Sequence, residues 1–299
     1  MLTVLSLLLT TAPAQAYVDP ACEDEAAKGV PEGYSEQAQQ DFLLNYFALA
    51  TTLSPVHSAV PHAAGRGSIG LDVLVIPSLS CKRRLVLNYT KTEDTNKAPV
   101  APRPRAIFSF PKVGPVVFYA GAAYIPPVPL FGTRNVISSG EFGFGLPKEG
   151  GFEWGARGHA TMMKTVGEIA TPFNPDDPSE LDLLVASTFG MDVIVGWNTP
   201  AVNPYLAVGF TDVSTFFYIG DDGIVSNNKS PYFGLVASLG AQGKIGEHFQ
   251  WGGELYAAPY NFMGISDEDA APGDASFAAA RLITARLRAS YVFGRSSEG

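Results

Sequence analysis

Residues 282–293 read Leu282-Ile283-Thr284-Ala285-Arg286-Leu287-Arg288-Ala289-Ser290-Tyr291-Val292-Phe293. Side chains point alternately to the two faces of a β-strand. One face of this segment carries Ile283, Ala285, Leu287, Ala289, Tyr291 and Phe293, and the other carries Thr284, Arg286, Arg288 and Ser290. A strand of a soluble sandwich can show this alternation, but two arginines that face a protein core need buried partners. The segment therefore predicts a strand with one apolar face and one arginine-bearing face.

The apolar face, which ends in Tyr291-x-Phe293, resembles the closing strand of bacterial outer-membrane β-barrels. The family's chain usually ends at the aromatic residue, whereas here residues 294–299 follow. The resemblance implies an outer surface that meets lipid and a polar, wet interior. It also implies an outer-membrane location, with membrane lipid and the outer-membrane assembly machinery as partners.

Composition is consistent with many lipid-facing strands. Charged residues make up 16% of the chain, below the roughly 25% that is usual for soluble domains. Glycine (31), phenylalanine (19) and tyrosine (12) are abundant, as in barrels with aromatic girdles. The net charge of −9 argues against nucleic acid as a partner.

The N-terminus predicts export. Leu2 to Leu9 is apolar, and Ala14-Gln15-Ala16 has the small-x-small pattern of a signal-peptidase site, although no Lys or Arg precedes the apolar run. The alternative is an ordinary apolar N-terminus. No later stretch approaches the ~20 apolar residues of a membrane helix, so a membrane-spanning form requires a closed barrel.

Cys22 and Cys81 are the only cysteines. An even count in an oxidising compartment favours a disulfide between them over two free thiols. The predicted strand order places the Pro77 to Cys81 turn, and hence this bridge, at the periplasmic end.

Strand patterns begin at Ser68. The clearest is Phe152 to Met162, and Leu181 to Trp197 repeats the pattern over a longer span. Most strands reach the ~9–11 residues that cross a bilayer at a tilt. Short connections alternate with longer polar loops, which we expect to be periplasmic and external respectively.

We predict an all-β fold, an antiparallel transmembrane β-barrel. About eleven strands are readable, including one at Arg84 to Tyr89, but bacterial barrels usually have an even number. Either Asp41 to Leu53 is a further strand or Leu181 to Trp197 hides a hairpin, so about twelve strands are expected, with ten to fourteen open.

The segment Ser35 to Leu53 has good helix formers and an N-cap serine. We expect a short amphipathic helix, either interfacial or a plug inside the lumen, with a strand as the competing interpretation. A plug resembles the hatch of fatty-acid transport barrels in architecture only. The domain prediction is a signal peptide (1–16), an N-terminal periplasmic or plug segment (17–65), a barrel (66–294) and a tail (295–299).

Charged side chains on the polar strand faces are the candidate lumen lining. They are Asp72, Arg84, Arg105, Glu141, Glu153, Arg157, His159, Asp182, Asp192, Glu254, Arg286 and Arg288. Because the closing strand must lie beside the first, Asp72 and Glu254 are candidate partners for the two arginines of residues 282–293. The mixed signs favour a partly filled lumen over an open, charge-selective pore.

Enzymatic chemistry is not expected. His159 with Glu153 and Arg157 is the only inward cluster with a base, and it lacks an adjacent serine. The scattered His and Cys predict no metal site, and no cofactor is expected. We predict a monomeric barrel for passive transport of small or hydrophobic solutes; a structural or adhesive barrel and a membrane-embedded hydrolase are the alternatives.

Overall fold

The computed structural model describes residues 18–93, 96, 99–130, 133–148, 150–167, 181–199, 201–220, 224–227, 229, 231–262 and 282–294. The expected signal peptide, the C-terminal tail and much of the long loops lie outside these residues. The signal peptide and the tail therefore stay predictions.

The N-terminal part is helical. A 3₁₀ turn (Pro20–Cys22) leads into α1 (Glu23–Ala26), and α2 spans Glu36–Thr51. A short helix, α3 (Cys81–Arg84), follows the first strand. Within the described residues, no helix combines the length and apolarity needed to cross a membrane.

The rest of the chain is strands. They are β1 (Gly67–Val75), β2 (Leu85–Val86), β3 (Lys91–Thr92), β4 (Val100–Ser109), β5 (Val117–Leu130), β6 (Thr133–Leu146), β7 (Phe152–Gly167), β8 (Asp182–Trp197), β9 (Val202–Ile219), β10 (Ile224–Asn227), β11 (Phe233–Ile245), β12 (Phe249–Asn261) and β13 (Leu282–Phe293).

Ten of these strands form one closed antiparallel barrel. Its order is β9-β11-β12-β13-β1-β4-β5-β6-β7-β8, and β8 pairs back to β9. β10 pairs antiparallel with the last four residues of β9, whereas β2 and β3 pair only with each other. The connections 110–116, 147–151, 198–201 and 246–248 lie at one end, called here the short-turn end; the opposite end is the long-loop end.

The barrel has ten strands, within the expected range and two below its central value. The expected strand at Arg84 to Tyr89 is not a barrel strand, because α3 and three consecutive residues with positive φ, Leu87, Asn88 and Tyr89, turn the chain there. Leu181 to Trp197 contains one continuous strand, and Asp41 lies in a helix. The expectation of an even number of strands was correct, but one of the eleven readable strands had to be removed rather than one added.

The expected position of the disulfide depended on a barrel strand at residues 84–89. Cys22 and Cys81 are bonded, as predicted. Because β1 leads directly into the connection 76–99, that connection and the bridge lie at the long-loop end. The expected position at the end with the short turns was wrong.

The outer surface of the barrel is apolar. Aromatic side chains cluster toward the short-turn end, including Phe142, Phe152, Trp154, Trp197 and Phe249, which are 44–60% exposed. In β13 all six predicted outward residues alternate with buried ones. An apolar exterior of this kind is typical of strands that face lipid.

The helix α2 lies inside the barrel at the long-loop end. Ser35 caps it by accepting a hydrogen bond from the Ala38 backbone N–H at 3.2 Å. The wall surrounds the helix, so polar residues on every side of it are buried as well. Among the three interpretations of this segment, the structure shows the plug.

Candidate functional site: a plugged lumen

Eleven of the twelve predicted lumen residues are buried on the inner face of the barrel. They are Asp72, Arg105, Glu141, Glu153, Arg157, His159, Asp182, Asp192, Glu254, Arg286 and Arg288. Their placement follows directly from the alternation of side chains along each strand.

Arg84 is the exception. It is the last residue of α3, and its guanidinium lies 3.1 Å from the Asp19 carboxylate near the disulfide. The Ala21 backbone N–H donates a hydrogen bond to Asp19 and, together with Arg84, lowers the pKa of Asp19. Arg84 therefore belongs to the anchor of the N-terminal segment rather than to the lumen.

Asp72 joins the first strand to its neighbours. Its carboxylate lies 3.1 Å from Arg105 and 3.9 Å from Arg103, both on β4. It also lies 3.8 Å from Arg288, directly opposite on β13. The predicted pairing of Asp72 with the closing strand is therefore confirmed for Arg288.

Glu141 is the centre of a second set of ion pairs. Its two oxygens lie 2.5 Å from Arg105 and 2.8 Å from Arg157, and His57 of the plug is 3.3 Å away. Arg157 also pairs with Asp192 at 2.8 Å. Two guanidinium groups and an imidazole ring surround this buried carboxylate, which gives it the paired and hydrogen-bonded environment that buried charges require.

The same network reaches His159, whose Nε2 lies 3.6 Å from Asp192. Gly190 makes this position possible, because a Cβ there would lie 2.5 Å from His159 Nε2 and 2.6 Å from the Thr211 hydroxyl. The ionisable partner of His159 is thus Asp192, rather than the Glu153 that sequence reasoning grouped with it.

Four wall arginines hold the plug by its backbone. The carbonyl groups at the C-terminal end of α2 have no hydrogen-bond partner within the helix. Its last residue, Thr51, and the three residues that follow, Thr52, Leu53 and Ser54, each present a carbonyl oxygen to an arginine. The donors are Arg103 to Thr51 (3.0 Å), Arg286 to Thr52 (2.7 Å), Arg157 to Leu53 (2.7 Å) and Arg105 to Ser54 (3.1 Å). Cations at the C-terminus of a helix also interact favourably with its dipole.

Arg286 does not pair with Asp72 or Glu254 as expected. It donates to Thr52 and to Leu49 and stacks over the Tyr256 ring at 4.0 Å. Glu254 accepts instead from the Val56 backbone N–H and the Tyr205 hydroxyl, both at 2.9 Å. The N-terminal segment supplies Leu49, Thr52 and Val56, and the wall itself supplies the two tyrosines. The expected pairing of Arg286 with a wall carboxylate was therefore wrong.

Below these contacts the plug continues as coil to the short-turn end. Gln242 donates to the Ser58 hydroxyl at 2.7 Å, and Gln250 donates to the Pro61 carbonyl at 3.2 Å. Residues 52–62 are buried throughout. The lumen is thus filled along the length of the barrel.

The lumen has a different character at the long-loop end. There the apolar side chains of α2 pack against inward residues of eight barrel strands. These wall residues are Ile125, Ile137, Met163, Leu184, Ala186, Val213, Val236, Tyr256, Ala258 and Leu282. An apolar layer therefore lies above the charged layer of the same lumen.

Sequence reasoning missed several plug contacts. Arg103 lies two residues before Arg105 and shares its face, but it stands between Pro102 and Pro104, and proline is disfavoured within strands. Gln242 and Gln250 are on the inner face of β11 and β12, where the same alternation could have identified them.

The closed antiparallel barrel with an even number of strands, an apolar outside and a charged inside has the architecture of transmembrane β-barrels of the outer-membrane type. No family model and no curated protein matches the chain.

Among solved structures, the Pseudomonas putida toluene transporter TodX aligns at 11% identity with a TM-score of 0.34, over 88% of this chain and 77% of that one. The translocator domain of the autotransporter NalP from Neisseria meningitidis aligns at 9% identity with a TM-score of 0.39, over 78% and 89%. At such scores neither likeness carries an argument about function.

Proposed function

We propose that this barrel lies in the outer membrane and transports small hydrophobic solutes, with the N-terminal plug as its closed gate. The observation that carries the proposal is the apolar layer inside the lumen. Barrel interiors in this class are otherwise polar. If α2 shifts, the wall residues it now covers become an apolar pocket that suits a solute of low polarity.

The way in which the plug is held also supports a gate. The wall arginines bind backbone carbonyls of a separate segment, and such contacts are independent of the plug's side chains. The coil 52–66 can therefore move as a unit while the Asp72 and Glu141 ion pairs keep the wall intact.

A structural barrel is the second candidate, because the lumen is blocked along its length. A hydrolase has less support: His159 contacts Asp192, and the nearby hydroxyl is that of Thr211. Among the described residues, no serine hydroxyl is seen bonded to His159.

The test is flux through proteoliposomes, measured for a small neutral aromatic hydrocarbon and for a sugar of similar size. We expect flux of the hydrocarbon above that of protein-free liposomes and little flux of the sugar. Flux of neither solute, before and after reduction of the disulfide, contradicts transport and favours the structural barrel.

A matched pair of variants locates the recognition surface. Leu184 and Ile194 are both buried on the inner face of β8, but Leu184 lies in the apolar layer and Ile194 lies beside Ala59 in the lower lumen. Leu184→Gln should lower hydrocarbon flux per folded barrel more than Ile194→Gln. Equal losses contradict the apolar layer as the solute-binding surface.

A further inference from the structure

The outer wall of the barrel has one face that departs from the apolar exterior. On β6 to β8 the outward residues Ser138, Gly140, Ala160 and Ser187 are small, and they form the floor of a notch of about 380 Å³. Met162 and Phe189, both exposed, stand at its edge. The exterior is thus indented at these small residues, whereas the neighbouring parts of the wall carry the larger Leu, Val and Phe.

Two opposite charges stand on the same face. Asp212 on β9 lines the notch, and Lys164 on β7 lies beyond it; both side chains are exposed and point outward. Among the described residues, neither has an ion-pair partner within the chain. Outward apolar residues flank them along their strands, Met162 and Val166 around Lys164 and Phe210 before Asp212. Unpaired charges in a lipid-facing wall are costly and mark sites of function or association.

The two charges are at nearly the same height in the membrane. The row of paired residues that starts at Asp212 runs through Phe189 and Ala160 and continues around the barrel to Ile245, at the short-turn end of β11. From one strand to the next, the paired residue therefore lies about one residue closer to the short-turn end, as the shear of a barrel requires. At constant height, the position on β7 that matches Asp212 therefore lies beyond Ala160, near Met162 and Lys164.

We propose that this face is a symmetric interface with a second copy of the chain. A two-fold axis along the membrane normal and close to Ser187 on β8 brings Lys164 of each copy to Asp212 of the other, because such an axis preserves height. The interface makes the ion pair twice, removes four charges from lipid and lets the large residues at each edge fill the opposite notch. The monomer expected from the sequence is then the dissociated form.

Charge reversal with cross-rescue tests this geometry. Lys164→Asp places two carboxylates opposite each other in a homodimer, and Asp212→Lys places two ammonium groups there. Each variant alone should raise the dimer dissociation constant by about tenfold or more, because like charges oppose each other. Reconstituted together, the two variants should form heterodimers, since both contacts are again between opposite charges.

Sedimentation in detergent measures the dimer fraction, and heat-modifiable gel migration confirms that each variant is folded. Ser187→Cys should give an oxidised crosslinked dimer, whereas Ala289→Cys, an exposed small residue on β13 across the barrel, should not. The native disulfide leaves no free cysteine among the described residues to confuse the result. A monomeric wild type, single reversals without effect, or mixed variants that do not pair would each overturn the proposal.

Discussion

At the scale of single residues, the lumen depends on glycines that leave space for charged side chains. A Cβ at Gly121 would collide with the carboxylate of Glu141, the residue that pairs with Arg105, Arg157 and His57. Gly158, by contrast, faces outward, and a Cβ there would meet nothing closer than 3.9 Å. The same residue type therefore has different roles on the two faces.

Gly121→Ala should consequently destabilise the barrel, whereas Gly158→Ala should be near neutral or slightly stabilising. The expected loss for Gly121→Ala is about 1–3 kcal/mol, typical of overpacking in a filled interior. Urea-induced unfolding in detergent, followed by tryptophan fluorescence, measures both changes. Equal stability of the two variants contradicts the position of Glu141 over Gly121.

Arg157 is a residue whose loss should be more severe. It pairs with Glu141 and Asp192 and donates to the Leu53 carbonyl, and it is 2% exposed. Arg157→Met leaves two buried carboxylates short of a partner, which costs about 3–5 kcal/mol. The unfolding free energy at neutral pH should fall by that amount, with partial recovery at low pH as the carboxylates become protonated.

At the scale of elements, α2 is a helix whose stability comes from the barrel around it. Its polar residues have wall or loop partners: Asn45 accepts from the Tyr232 N–H at 3.0 Å, and Gln39 donates to the Arg83 carbonyl. The disulfide between Cys22 and Cys81 ties the chain before α2 to α3 at the same end. The plug is thus anchored at both ends, by this bridge and by β1.

Removal of the upper anchor should loosen the plug while leaving the barrel folded. We expect Cys22→Ser with Cys81→Ser, or reduction of the wild type, to increase hydrocarbon flux and to raise hydrogen exchange in α2 ahead of the strands. The double variant should no longer respond to reductant, which makes it the control. Exchange in α2 that is unchanged by reduction contradicts this role of the disulfide.

Ser35 provides a milder test of the same element. Its hydroxyl caps α2 through the Ala38 N–H, so Ser35→Ala should cost about 1 kcal/mol of helix stability. We expect faster hydrogen exchange in the first turn of α2 and little change at the wall arginines. Uniform acceleration through all of α2 would show that the helix opens only as a unit.

At the scale of the whole molecule, the inner surface is divided into two layers. Charged residues in the middle and short-turn half bind the coil of the plug, and apolar residues at the long-loop end bind its helix. A solute of low polarity therefore has a matching surface at one end only. Movement of the plug and exposure of that surface are the same event in the proposed mechanism.

The strand alternation made much of this predictable. Residues 282–293, Phe152 to Met162 and eleven of the twelve inward charges lie on the predicted faces, because the direction of a side chain on a strand is a local property of the backbone. The contact of Asp72 with Arg288 was predictable for a second reason, because closure of a barrel must bring the first and last strands together.

The plug contacts, the strand count and the position of Arg84 were decided by tertiary structure. Residues 84–89 do not join the barrel, because the chain at this point forms the helix α3. A disulfide links the first residue of α3 to Cys22, 59 positions away in the sequence. Likewise Arg286 was expected to pair with Asp72 or Glu254, but it binds the Thr52 and Leu49 carbonyls of a segment far away in sequence. Period-two alternation determines which side of the wall a residue faces; only the folded chain determines what fills the space it faces, because those contacts join parts of the chain that no local pattern relates.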